Sequence, residues 1–88
     1  MIYLNGDIMN RIIEKQIGAN IRNIREKNKM TQEELSAKLQ LRGCDVTRSA
    51  IAKIEVGQRH LYPDEIILIK EILNAEYDMI FDVSVITR

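Results

Sequence analysis

Several residue types are scarce in this 88-residue sequence, and each scarcity excludes a class of protein. The single cysteine, Cys44, cannot form an internal disulfide. No apolar run approaches the ~20 residues of a membrane-spanning helix, and the first residues lack the basic and apolar segments of a signal peptide. We therefore expect a cytoplasmic protein with no membrane association.

Groups that support catalysis or bind cofactors are also scarce. The chain has one histidine and four glycines, and it contains no nucleophile motif, no phosphate-binding glycine loop and no paired metal-ligand motif. His60 and Cys44 are candidate metal ligands, but two residues without the spacing of a metal motif are a weak signal. We expect no enzymatic activity, no cofactor and no metal.

Acidic and basic residues are equally numerous, at thirteen each, but they are unevenly distributed. Residues 11–60 contain eleven of the lysines and arginines and six acidic residues, which gives this segment a net charge of +5. Residues 61–88 have a net charge of −4. A basic front half is typical of a protein with one DNA-facing side, although such asymmetry in a short chain can also arise by chance.

The spacing of apolar residues predicts an all-α fold of five helices. Isoleucines recur at every third or fourth position and predict a first helix over residues 10–27. Thr31 and Glu34 form a capping-box pattern, which predicts a second helix from Gln32 to Gln40 or Leu41. The isoleucines of the first helix are Ile13, Ile17, Ile21 and Ile24.

The third helix is predicted from its two ends. Gly43 is expected to be left-handed in the turn after the second helix. Thr47 is a suitable N-cap for a helix over residues 48–56, and Gly57 is suited to close it.

Two more helices and two different termini complete the prediction. Pro63 suits the first turn of a fourth helix that ends near Asn74, and a fifth helix around residues 77–81 is expected to pack Ile80 and Phe81 on the core.

Residues 1–4 and 81–87 have strand-like composition, which leaves open a pair of short strands within one chain or between two. A lone two-stranded pairing is marginal. The expected organisation is an N-terminal extension over residues 1–9, a domain over 10–81 and a C-terminal tail over 82–88.

The third predicted helix has a polar, partly basic outer face. Arginine or lysine near the N-terminus of such a helix can donate to guanine O6 and N7 in a major groove. The alternative is an ordinary amphipathic helix with a solvated face. On a helical wheel the inner face holds Ala50, Ile51 and Ile54, and the outer face holds Arg48, Ser49, Ala52 and Lys53.

Three segments, in this order, resemble the Xre-type helix-turn-helix family of lambdoid phage repressors and Cro. They are IGANIRNIR at residues 17–25, MTQEEL at 30–35 and SAIAKIEVG at 49–57. The resemblance covers about residues 17–81 and implies a five-helix, lambda-repressor-like domain. It also implies sequence-specific binding of double-stranded DNA by a homodimer on a palindromic operator, in transcription regulation and most often in repression.

The resemblance assigns roles by position. Arg25 and Glu55 match a structural salt bridge that ties the first helix to the third. Residues expected to contact DNA are Gln32, Thr47, Arg48, Ser49, Ala52, Lys53, Arg59 and His60.

One departure from the family is the turn around residues 41–45, which is longer than the usual tight turn. It leaves the register of the third helix, which is the recognition helix in this family, open by one residue. Arg42 in this turn is either an added phosphate contact or a solvated loop cation. The alternative function is a protein-interaction module or an antitoxin with the same fold.

Overall fold

A computed structural model of the protein describes residues 6–87, which form six helices and no strand. The all-α prediction is confirmed, and all five predicted helices are present. α3 packs against α1 and α2, α2 packs against α4, and α5 packs against α1. The helices are α1 (Gly6–Lys27), α2 (Gln32–Leu41), α3 (Arg48–Glu55), α4 (Pro63–Leu73), α5 (Tyr77–Ile80) and α6 (Ser84–Thr87).

α1 begins at Gly6 rather than at residue 10. The acidic Asp7 lies in its first turn, where a negative charge complements the positive end of the helix dipole. Residues 6–9 of the predicted N-terminal extension therefore belong to the domain's first helix, and residues 1–5 lie outside the described part of the chain.

Two threonine caps fix where α2 and α3 begin. Thr31 Oγ1 accepts from the Glu34 amide at 3.0 Å, and Glu34 Oε1 accepts from the Thr31 amide at 3.3 Å. Thr47 Oγ1 accepts from the Ala50 amide at 3.1 Å. Both predicted caps are confirmed, and α3 starts at Arg48 despite the long turn.

The turn between α2 and α3 is anchored by burial. Gly43 is left-handed, with φ of +81°, as predicted. Val46 is fully buried, and the Ser36 hydroxyl donates to its carbonyl at 2.6 Å. Cys44 is also buried in this turn, and burial raises the pKa of its thiol.

The core lies between the first four helices and is closed by Ile80. Phe81 was predicted to join it, but Phe81 is 42% exposed and its ring stacks on that of Tyr77. α5 is a single turn that buries Ile80 against the core, and Phe81 follows as its C-cap, outside the buried face. The buried apolar residues are Ile21, Ile24, Leu35, Leu39, Cys44, Val46, Ile51, Ile54, Ile69, Leu73, Ala75 and Ile80.

Residues 81–87, for which a short strand was left open, instead contain the one-turn helix α6. The Asp82 carboxylate accepts from both the Ser84 amide and the Ser84 hydroxyl, at 3.1 and 2.7 Å. This local capping favours a helical turn, whereas a strand needs a neighbouring strand for its hydrogen bonds. The other predicted strand, residues 1–4, lies outside the described residues. Among the helices of residues 6–87, none combines the length and apolar character that a membrane crossing needs.

Candidate nucleic-acid interface

The helix α3 is held at close range by α1. A β-carbon at Gly18 would lie 2.1 Å from the Ile54 carbonyl oxygen, so only glycine fits where the two backbones cross. Gly57, with φ of +77°, follows the end of α3 and also lies close to α1, because a β-carbon there would lie 2.8 Å from the Lys15 Cα. These two approaches leave α3 little freedom to shift along α1.

A buried ion pair then fixes the orientation of α3. The Glu55 carboxylate accepts from Arg25 Nε at 2.7 Å and from Arg25 Nη2 at 3.0 Å. The side chains of Arg25 and Glu55 are only 9% and 1% exposed. The hydrogen bond to Glu55 is the main cause of the raised pKa of Arg25, against the opposing effect of burial. Such a bidentate pair constrains both the distance and the angle between α1 and α3.

Two more residues extend this pair into a network. Arg25 Nη1 donates to the Met30 carbonyl at 2.7 Å, and Gln32 Nε2 donates to Glu55 at 2.9 Å. The Arg25–Glu55 network, which consists of Arg25, Met30, Gln32 and Glu55, therefore joins the end of α1, the start of α2 and the end of α3. It orients the Gln32 amide as well as the helix.

The outer face of α3 carries polar groups that are open to a ligand. Arg48, Ser49 and Lys53 are exposed, and their side chains have no hydrogen-bond or ion-pair partner among residues 6–87. The small, half-buried Ala52 lies between them along the helix. Free cationic and hydroxyl donors on one helix face can read base edges and phosphates.

A groove of about 780 Å³ adjoins the start of α3. We call it the basic groove. It brings Arg48 next to the N-terminus of α2, where free amides and the helix dipole favour an anion. Sequence reasoning missed Arg22 and Lys29 as members of this surface, because only the packing of α1 against α2 and α3 brings them near Arg48. The lining residues are Arg22, Arg25, Glu26, Lys29, Met30, Thr31, Gln32, Glu33 and Arg48.

The loop between α3 and α4 is held by Arg59. Its guanidinium makes two 2.9 Å hydrogen bonds to the Glu65 carboxylate, and it also donates to the His60 carbonyl. The Glu65 carboxylate accepts in addition from the Tyr62 amide at 3.0 Å. The hydrogen bond from Arg59 holds the pKa of Glu65 below its ordinary value, against the effect of burial. Arg59, expected at DNA, is engaged within the fold.

Two other predicted contact residues also have carboxylate partners. His60 Nδ1 lies 2.8 Å from Glu14 Oε1, and the His60 side chain is 76% exposed. Arg42 Nη2 donates to Glu71 at 2.5 Å across the α2–α4 contact. Neither His60 nor Arg42 lines the basic groove. Among residues 6–87, no group of three or more potential ligands is arranged to hold a metal ion.

A helix-turn-helix family model matches residues 21–80, more than half of the chain. The chain belongs to the Xre and lambda-repressor type of helix-turn-helix proteins. This family supports a role in DNA binding and transcription regulation, and it is not typically enzymatic. No curated protein and no solved structure matches this chain.

In this helix-turn-helix protein, the predicted contact residues fall into three groups. Gln32 and Arg48 both line the basic groove, next to the exposed face of α3. Arg42, Arg59 and His60 lie outside the groove and contact carboxylates of other helices. The remaining predicted contacts, at the start and along the outer face of α3, are Thr47, Ser49, Ala52 and Lys53.

Replacement of Glu65 tests how much the Arg59–Glu65 ion pair contributes to stability, through the pH dependence of that contribution. Because the pKa of Glu65 is lowered in the folded protein, its contribution to stability is complete above the ordinary glutamate pKa of about 4.3 and is lost as the pH falls through the folded pKa. We expect Glu65→Gln to lower the free energy of unfolding by on the order of 1 kcal/mol at neutral pH. Urea denaturation should show this difference shrinking in acid. Parallel curves for the two proteins at all pH values would contradict the assignment.

Proposed function

We propose that the protein is a sequence-specific regulator of transcription that acts as a repressor. It binds double-stranded DNA as a homodimer on a palindromic operator, and because its target is DNA it acts in the cytoplasm. The observation that carries this proposal is the position of Arg48 at the first residue of α3. Its side chain is exposed, has no hydrogen-bond or ion-pair partner in the described part of the chain, and lines the basic groove. Family membership supports the DNA-binding part.

In the proposed complex, α3 lies in the major groove. Arg48 and Lys53 donate to guanine edges, Ser49 donates to a base or a phosphate, and Ala52 allows close approach of the helix. The Thr47 hydroxyl oxygen already accepts from Ala50, but its proton remains available to a phosphate.

The phosphate backbone is contacted through the basic groove. The Gln32 amide is oriented by Glu55 and lies at the N-terminus of α2, which favours a phosphate. Lys29 and Arg22 extend the same positive surface along the end of α1. Phosphate contacts of this kind position a protein on the duplex, while the side chains of α3 read its sequence.

A second copy of the chain is the proposed occupant of an apolar surface near the C-terminal end. Tyr77 and Phe81 stack on each other and are each 42% exposed. Met79 and Val85 are also exposed in this segment, at 48% and 59%, in a protein too small to bury a large core. A two-fold contact through this surface would present two α3 helices to two half-sites, which a palindrome requires. Occupancy of the operator by the dimer is sufficient for repression, since it excludes other proteins from that site.

Substitution of the α3 cations tests the proposed readout. Arg48→Ala/Lys53→Ala should abolish selection of a palindromic sequence from a pool of random duplexes, because each base contact contributes about 1–3 kcal/mol of discrimination. Fluorescence anisotropy over a salt series measures both affinity and selection. The matched control is Arg11→Ala/Lys38→Ala, which removes the same charge from exposed residues outside the basic groove.

Two outcomes would contradict the proposal. One is an equal loss of selection in the control variant. The other is no binding by the wild-type protein even at low salt, which would leave the alternative of a protein-interaction module or an antitoxin without this DNA contact. That alternative is favoured by Leu41, an apolar residue at the end of α2 that is 87% exposed.

Substitution of Phe81 tests the dimer. A charge in the proposed apolar contact has no partner, so Phe81→Asp should shift the protein to monomer in sedimentation equilibrium and weaken binding to a full palindrome more than to a half-site. Leu41→Asp is the control, because Leu41 is more exposed but lies at the end of α2. A Phe81→Asp protein that remains dimeric would overturn this interface.

A further inference from the structure

We propose that Glu26 is a specificity-determining residue of the basic groove, because it withholds Arg22 from phosphates of DNA that lacks the operator sequence. The inference rests on the proposed function and deepens it. It concerns the weak, sequence-independent binding that any regulator must limit if it is to find its own site.

In this geometry the Glu26 carboxylate competes with DNA phosphates for Arg22. Arg22 Nε donates to Glu26 Oε1 at 2.6 Å, and both side chains line the groove that contains Lys29 and Arg48. The side chains of Arg22 and Glu26 are 57% and 52% exposed, so a duplex lying in the groove can reach them. A phosphate that approaches Arg22 must therefore either replace the Glu26 carboxylate or lie beside a like charge.

Non-specific complexes and the operator complex differ in their ability to displace Glu26 from Arg22. In non-specific binding, phosphate contacts supply essentially all of the affinity, and nothing holds one particular phosphate at Arg22. In the operator complex, base contacts from Arg48 and Lys53 hold the duplex against the groove and raise the effective concentration of a phosphate there. The exposed Arg22–Glu26 pair is weak enough to yield to such a phosphate.

Glu26 therefore lowers the affinity mainly for DNA that lacks the operator sequence. On non-specific duplexes Arg22 stays with Glu26, and one fewer phosphate is neutralised. On the operator Arg22 exchanges Glu26 for a phosphate and contributes to binding. Arg25, in contrast, is buried with Glu55 and has no such exchange open to it.

The experiment measures salt-dependent binding of Glu26→Gln to two duplexes. One is the sequence that the wild-type protein selects from a random pool, and the other is a scrambled duplex of equal length and composition. For the scrambled duplex, the slope of log K against log salt should become steeper by about 0.9, the value for one added phosphate contact. Between 50 and 200 mM salt that slope corresponds to an extra loss of about 3.5-fold in affinity. The slope for the selected duplex should change less, and the ratio of the two affinities should fall.

Two further variants separate this effect from a change in net charge. Arg22→Ala in the Glu26→Gln background should return the scrambled-duplex slope to the wild-type value. Glu76→Gln changes the net charge equally at an exposed acidic residue outside the basic groove, so it should leave the slope unchanged.

An unchanged slope in Glu26→Gln would overturn the inference, as would equal steepening by Glu76→Gln or equal effects on both duplexes. If the wild-type protein binds no duplex at all, the proposed function fails and this inference fails with it. If the wild-type protein selects a sequence and only the Glu26→Gln result is absent, the proposed function stands without the inference.

Discussion

The buried ion pair between Arg25 and Glu55 is the interaction on which the rest of the site depends. It joins the last turn of α1 to the last turn of α3, and through Gln32 it also joins the first turn of α2. Loss of one partner would leave an uncompensated charge in a nearly solvent-free position, a defect that typically costs about 3–5 kcal/mol. The same bonds fix the angle at which α3 leaves the body of the domain. One network therefore contributes to stability and determines which side chains face outward.

The outward surface separates cations that are free from cations that are engaged. Arg48 and Lys53 on α3 have no carboxylate partner among residues 6–87, whereas Arg42 and Arg59 hold other helices and loops together. The net charge of zero is therefore a poor guide to binding, because the acidic Glu65 and Glu71 are paired with arginines away from α3. What matters for a duplex is the local charge of the basic groove and of the α3 face beside it.

Local signals in the sequence were sufficient for the parts of the fold that local chemistry determines. The Thr31 and Thr47 caps involve groups within three residues of each other, so the starts of α2 and α3 could be predicted. The exposure of Phe81 could not be predicted from the sequence, because it depends on how α5 packs against the core. The partners of Arg59 and the proximity of Arg22 to Arg48 also depend on tertiary packing, which spacing along one chain does not report.

The most direct test of the account replaces the buried pair with apolar residues of similar size, as Arg25→Met/Glu55→Leu. Such replacements are often neutral or stabilising, so urea denaturation should show a folded protein of similar stability. If the pair positions α3 and Gln32 for DNA, the variant should bind duplexes but lose most of its preference for the sequence that the wild-type protein selects. A variant that folds and selects the same sequence with undiminished preference would contradict the central claim, because the orientation of α3 would then be set without the ion pair.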